Sequence, residues 1–164
     1  MINDFMVILI FLYSGIQGID AEETFTHFQK ELTCLAHNIY FEAKGESYEG
    51  KLAVATVTKN RVRSKYFPNS YCDVVWQVKT YNGRKVPQFS WTLDGKSDRP
   101  KDQRAYEKSV KVAAEVLLYD KKSDKISSTV LNYHANYTKP RWSKQMPHAA
   151  TIGNHEFYEH QLAR

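Results

Sequence analysis

Ile39-Tyr40-Phe41-Glu42-Ala43-Lys44-Gly45-Glu46-Ser47 is the stretch on which the fold turns, because it sets two carboxylates four residues apart on either side of a helix break. Upstream, Phe25, Phe28, Leu32, Leu35, Ile39 and Tyr40 recur at the spacing of one face of an amphipathic helix, and Gly45 ends it. Glu42 therefore falls in the last turn, where unpaired carbonyls disfavour a further negative charge and push a carboxyl pKa upward. If the rings of Tyr40 and Phe41 line a cleft, desolvation pushes the same way, and the result suits a proton donor. Taken alone, a glutamate near a helix end is more often a solvated surface group. Glu46 and Glu49 flank Ser47, an N-cap for the next helix, whose positive dipole end keeps them ionised; on spacing they read as structural.

Working outward, a second helix is predicted from residue 47 to about 62, carried by Leu52, Ala53, Ala55, Thr56 and Val62, with a short third helix over 71–77. Residues 79–87 are polar around the turn dipeptide Asn82-Gly83 and lead into Gln88-Phe89-Ser90-Trp91 as an extended stretch. Asp98 or Pro100 starts a long helix to about Tyr119, with Tyr106, Val110, Ala113, Ala114, Leu117 and Leu118 facing inward. A charged connection over 120–128 precedes β-branched and aromatic segments at 129–135 and 150–158, which read as short strands. The class is α+β, mainly helical, with a small β element in the C-terminal third.

At 164 residues and 42% hydrophobic content the chain can bury one core, and no repeat or low-complexity tract divides it. The formal charge is +5; residues 1–21 hold two acids and no Lys or Arg, so residues 22–164 carry 23 − 16 = +7. A basic chain is drawn to polyanions. The Lys and Arg residues are scattered with no recognisable nucleic-acid module, so nucleic acid is not expected as a partner. The apolar run over residues 5–13 is too short to span a bilayer and fits the core of a secretory signal cleaved between residues 18 and 21, although Met1-Ile2-Asn3-Asp4 lacks the usual basic residues. The rival is an uncleaved or later-released anchor, the one membrane contact expected. Residues 22–164 form the remaining domain. Cys34 and Cys72 are compatible with one disulfide in an exported protein or with two buried free thiols.

Ordered pieces follow one another along the chain: Leu35-Ala36-His37-Asn38-Ile39-Tyr40-Phe41-Glu42-Ala43-Lys44-Gly45-Glu46, Glu49-Gly50-Lys51-Leu52-Ala53-Val54-Ala55, Asn60-Arg61-Val62, Phe67-Pro68, Cys72-Asp73-Val74-Val75, Gln88-Phe89-Ser90-Trp91, Asp94-Gly95, Tyr133-His134-Ala135, Pro140-Arg141-Trp142 and Ile152-Gly153-Asn154-His155-Glu156-Phe157-Tyr158. Between Leu32 and Tyr158 the sequence resembles the SleB-type cell-wall hydrolases of spores, bacterial envelopes and phages. The resemblance implies a single lysozyme-like domain acting on peptidoglycan, with one catalytic glutamate mapping onto Glu42 and no metal or cofactor. It sets Tyr40, Glu46, Gln88, Phe89, Trp91, Tyr133, His134, Trp142 and His155 around the substrate. The family usually has Arg where Lys44 stands, and Lys lacks the planar fork of a guanidinium. It also implies a monomer exported to the periplasm or cell wall, or a phage enzyme working in the host envelope.

The chemistry expected is cleavage of the β-1,4 bond between N-acetylmuramic acid and N-acetylglucosamine, by a lytic transglycosylase that needs one carboxyl. A hydrolytic muramidase needs a second, for which Asp94 is the best remaining residue, though Asp before Gly is by default a turn residue. Two other classes stay open. His37, His134 and His155 with a carboxylate could ligate zinc in an amidase that cuts the peptide stem, and a non-catalytic wall-binding module would keep Trp91, Trp142, Tyr133 and Phe89 without needing Glu42; a third, a structural virion or coat component, would expose an apolar surface that the sequence does not show.

Overall fold

In the computed structural model, residues 20–160 are described, and the export segment expected over 1–21 lies outside them apart from its last two residues. Helix α1 (Ala21–Ala43) starts at Asp20, whose carboxylate accepts from the amides of Glu22 and Glu23 at 2.9 and 3.3 Å. After the break at Gly45, Ser47 caps α2 (Tyr48–Arg63) by accepting from the Gly50 amide. Helix α2 is the centre of the molecule: every residue from Gly50 to Lys59 is buried. One side packs Leu52 and Ala55 against Leu32, Leu35, Ala36 and Ile39 of α1 and Val112, Ala113 and Val116 of α4 (Gln103–Tyr119). Complete burial of a side chain such as Leu35 is worth roughly 1.5–3 kcal/mol, and Leu35→Ala in this packed setting costs about 2–5 kcal/mol. The other side sets Ala53, Val54 and Val57 against Val130, Ile152 and Phe157 of the sheet.

That sheet is antiparallel in the order β3 (Val130–Ala135), β5 (His155–Glu159), β4 (His148–Ile152), with Tyr133 opposite Phe157 and Ala135 opposite His155. Its β4–β5 turn has Ile152 facing His155 across Gly153 and Asn154, and Gly153 takes φ +57°, which a two-residue turn of this hand requires at its first central position. A short helix α3 (Tyr71–Val75) is tied to α1 by the Cys34–Cys72 disulfide, so the free-thiol alternative is set aside.

The α+β class and mainly helical content follow the sequence reading, with three corrections. Residues 78–87 form a hairpin, β1 (Val78–Tyr81) and β2 (Arg84–Pro87), around Asn82-Gly83 with both central φ positive; its strands are almost wholly exposed, so no apolar alternation betrays them. The stretch expected to be extended at 88–91 is already turning, into a 3₁₀ helix at Ser90–Leu93. The long helix begins later than expected, capped by Asp102, which accepts from the Ala105 amide.

Candidate active site

A cleft of about 530 Å³ opens between the end of α1, the segment after β2 and the C-terminal sheet. Glu42 comes from the last turn of α1, and Phe41 beside it stacks on Trp91 with centroids 4.6 Å apart. Trp91 is fixed from behind, its indole donating to Asn38 Oδ1 at 3.1 Å. Across the cleft Tyr133, on β3, donates its hydroxyl to Glu42 Oε2 at 3.0 Å. Gln88, Phe89, Trp91, Tyr133, His134, Trp142 and His155, seven of the nine substrate-binding candidates, line this one cleft together with Glu42.

The carboxyl pKa of Glu42 is raised, as its position in the sequence predicts, but the first cause is burial. The Tyr133 hydrogen bond and the nearby Arg61 cation oppose that push without cancelling it. Burial also holds the Tyr133 hydroxyl well above its ordinary range, so it stays a donor.

Arg61 is the residue whose place the sequence reading missed. It belongs to the last turn of the buried helix α2 and is 4% exposed, with Nε donating to Leu131 O at 2.8 Å and its guanidinium 5.1 Å from the Phe89 ring and 5.9 Å from the Tyr133 ring. Its Nη1 is buried without a hydrogen-bond partner. A basic residue in a sequence defaults to the surface; the signal that could have found it is its position one turn past a run of uninterrupted small and apolar residues.

Tyr40 and Glu46 do not line the cleft. Tyr40 is 5% exposed, and its hydroxyl accepts from the amides of Lys101 and Asp102, both at 3.1 Å, docking the start of α4 on α1. Glu46 reaches past the helix it precedes to the β4–β5 turn, accepting from the Asn154 amide at 3.2–3.3 Å and from Asn154 Nδ2 at 2.9 Å. Gly153 leaves that space: a Cβ there would lie 1.8 Å from Glu46 Oε2. Glu46 Oε1 is also 4.0 Å from Nδ1 of His155, and the His155 ring meets the Tyr133 ring edge-on at 5.3 Å. Burial lowers the His155 pKa, so the ring is neutral near pH 7. Glu49, the other flanking acid, accepts from the hydroxyl of Ser123. Lys44, in place of the family's usual Arg, pairs with Asp102 at 3.2 Å on the outer flank of α1.

The three histidines of the zinc alternative are not brought together. His37 Nδ1 contacts Thr33 O and the Tyr106 hydroxyl, His134 contacts Ala135 O and the Tyr158 hydroxyl, and His155 faces Glu46. Among the described residues no three His, Cys, Asp or Glu side chains converge as a metal site. Asp94 does not line the cleft; its carboxylate accepts from the Lys96 amide in the turn at Gly95.

The fold is shared with known proteins. Two solved structures superpose on 80% of the chain at 25% identity: the catalytic domain of the Bacillus cereus SleB protein, with a TM-score of 0.59 and 91% of that chain covered, and the catalytic domain of the germination-specific lytic transglycosylase SleB from Bacillus anthracis, with a TM-score of 0.55 and 95% covered. Spore cortex-lytic enzymes of Bacillus subtilis and Oceanobacillus iheyensis match at 45% identity over 47 residues and 38% over 53, or 29% and 32% of this chain. This chain spans only 15% and 19% of the length of those two relatives. The family model for cell wall hydrolases matches residues 45–158, taking in every cleft element except the Phe41 and Glu42 end of α1. The chain belongs to the Cell Wall Hydrolase family.

Proposed function

We propose that the chain cleaves the β-1,4 bond between N-acetylmuramic acid and N-acetylglucosamine in peptidoglycan as a lytic transglycosylase. The observation that carries this reading is that, among the described residues, Glu42 is the only Asp or Glu lining the cleft. A hydrolytic glycosidase needs two carboxyls flanking the bond. One carboxyl suffices if the substrate supplies its own nucleophile. Protonated Glu42 gives its proton to the glycosidic oxygen as the bond from the anomeric carbon breaks and an oxocarbenium-like state develops. The carboxylate then takes the proton of the muramic acid C6 hydroxyl, whose oxygen bonds to the anomeric carbon. The products are a 1,6-anhydro end and a free hydroxyl, water is not consumed, and Glu42 returns to its starting state.

The surroundings of Glu42 serve both halves. Burial favours the acid that starts the reaction, while the Tyr133 hydroxyl and the Arg61 charge stabilise the carboxylate that the first step leaves behind. Trp142 and the exposed Tyr137 offer ring faces for the apolar faces of the sugars, Phe89 and Trp91 form the packed floor beneath, and Gln88 and His134 offer polar contacts. Tyr40 and Glu46 act from outside the cleft, through α4 and through the β4–β5 turn. We place the enzyme outside the cytoplasm, a setting the disulfide supports, exported through residues 1–21 and working as a monomer, since one chain supplies the whole cleft.

Digestion of purified wall followed by the mass of the released fragments tests the reading. Anhydro-muramyl ends are expected, unchanged by prior EDTA treatment, and absent with Glu42→Gln. Reducing ends would show a hydrolytic muramidase, and free stem peptides lost with EDTA and restored by zinc would show an amidase. Wall bound without any release would leave only a binding module.

A further inference from the structure

On the other flank of α1 lies a second groove, of about 810 Å³, larger than the catalytic cleft. Lys44 stands two positions beyond Glu42, roughly 200° further around the helix axis, so the groove it lines faces away from the cleft. The N-terminal ends of two long helices open into it, that of α2 at Ser47 and Tyr48 and that of α4 at Asp102 and Arg104. Both ends carry partial positive charge.

The side chains add to that field. Arg104, Lys108 and Lys111 follow at i, i+4 and i+7, one stripe along α4, and none of them makes an ion pair among the described residues. Like charges at this spacing weaken a helix, and Arg104 sits against the positive end of its own dipole. At the back of the groove Lys51 is 4% exposed, with Nζ donating to the carbonyls of Lys44 and Glu46 but within ion-pair distance of no carboxylate. Burial and the neighbouring Lys108 charge lower the Lys51 pKa, and the Glu46 carboxylate opposes them only in part, so a further anion would favour the charged ammonium. The two acids lining the groove are already engaged, Asp102 by Lys44 and the Ala105 amide, Glu46 by Asn154.

We propose that this groove is a second binding site, holding a phosphodiester chain of the cell wall while the glycan occupies the cleft. The stripe from Arg104 to Lys111 runs about 10 Å, long enough to meet successive charges of one closely charged chain. Carboxylates borne on separate peptide stems do not offer that spacing. The site is independent of the catalytic reading, since it shares no side chain with the cleft.

The test is binding of the full chain to fluorescent poly(glycerol phosphate) at low ionic strength, with poly-glutamate and a single-stranded oligonucleotide of matched charge as competitors. Lys108→Gln/Lys111→Gln is expected to weaken binding at least about tenfold and to flatten its salt dependence. Lys85→Gln/Lys125→Gln, the same loss of charge outside the groove, is expected to change it less than about twofold. Release of fragments from glycan stripped of phosphate polymers should be equal for all three proteins, which also shows that they are folded. Equal weakening by both double variants would reduce the effect to net charge and overturn the site. Displacement by poly-glutamate at matched concentration would overturn the assignment to a phosphodiester chain, and tighter binding of the oligonucleotide than of poly(glycerol phosphate) would overturn its assignment to the wall.

Discussion

Exchanging each of the two glutamates at the α1–α2 junction for glutamine separates the acid from the latch. Glu46 accepts two kinds of N–H from Asn154, the backbone amide at 3.2–3.3 Å and Nδ2 at 2.9 Å, and its side chain is only 7% exposed. Glutamine keeps one acceptor oxygen and turns the other into a donor facing a donor. Losing one hydrogen bond to a charged group costs about 1.5–3 kcal/mol, against the few tenths to about 1 kcal/mol that a surface charge near a helix N-terminus is worth. In a domain of this size that is a fall in Tm on the order of 10 °C. Turnover of the folded Glu46→Gln protein should remain within a few-fold of the parent. Glu42→Gln should do the reverse, losing at least ~100-fold in cleavage. Its stability follows from the direction of the pKa shift. A carboxyl whose folded pKa is raised favours the fold fully below its unfolded pKa, and that contribution is lost as pH rises through the folded value. At pH 7–8 the glutamine variant should therefore melt no lower than the parent. Melting curves and wall-clearing rates for both variants, taken side by side, decide the matter. An unchanged Tm with abolished cleavage for Glu46→Gln, and retained cleavage for Glu42→Gln, would exchange the two roles.

Further outcomes follow from neighbouring contacts. Tyr133→Phe removes the hydrogen bond that favours ionised Glu42, so the alkaline limb of kcat/KM should move to higher pH and kcat should fall; a uniform loss with an unmoved limb in the pH–rate profile would assign Tyr133 to packing alone. Gly153→Ala places a Cβ against Glu46 Oε2 at a positive φ, and should destabilise by at least about 2 kcal/mol in urea unfolding, with little further loss when combined with Glu46→Ala. Cys34→Ala/Cys72→Ala frees a loop of 37 intervening residues and should lower stability by about 3–4 kcal/mol, and reductant should bring the parent's melting curve down to that of the variant.

The helices were legible because burial on one face writes itself into the spacing of Leu32, Leu35 and Ile39, and because Ser47 is a local signal for a local bond. The hairpin at 78–87 left only its Asn82-Gly83 turn in the sequence, since strands exposed on both faces need no apolar alternation. Glu42 and seven of the nine residues grouped with it in the sequence line one cleft, because the ordered pieces of a family carry tertiary information that spacing does not. Tyr40 and Glu46 read differently in the structure because both find their partners about 60 and 108 residues away. Local rules assigned Glu46 to the nearest helix end, and the β4–β5 turn, more than a hundred residues on, won it instead. Arg61 stayed hidden for the same reason: its carbonyl partner is Leu131, and its ring neighbours are Phe89 and Tyr133.

The same long ties fix the order in which the molecule can become competent. Glu42 and Trp91 lie in the first two thirds of the chain, while the hydroxyl that grips Glu42, the backbone oxygen that seats Arg61 and the amides that hold Glu46 all arrive with residues 131–154. These contacts close loops of 70 to 108 residues, the kind that form late because their entropy must be lost before they give anything back. A chain emerging from its N-terminus therefore carries its acid early in an open, water-filled setting where a carboxyl is ordinarily ionised. It reaches the buried setting that raises its pKa only when the C-terminal sheet docks, so that on the proposed reading wall cutting waits for the last strand.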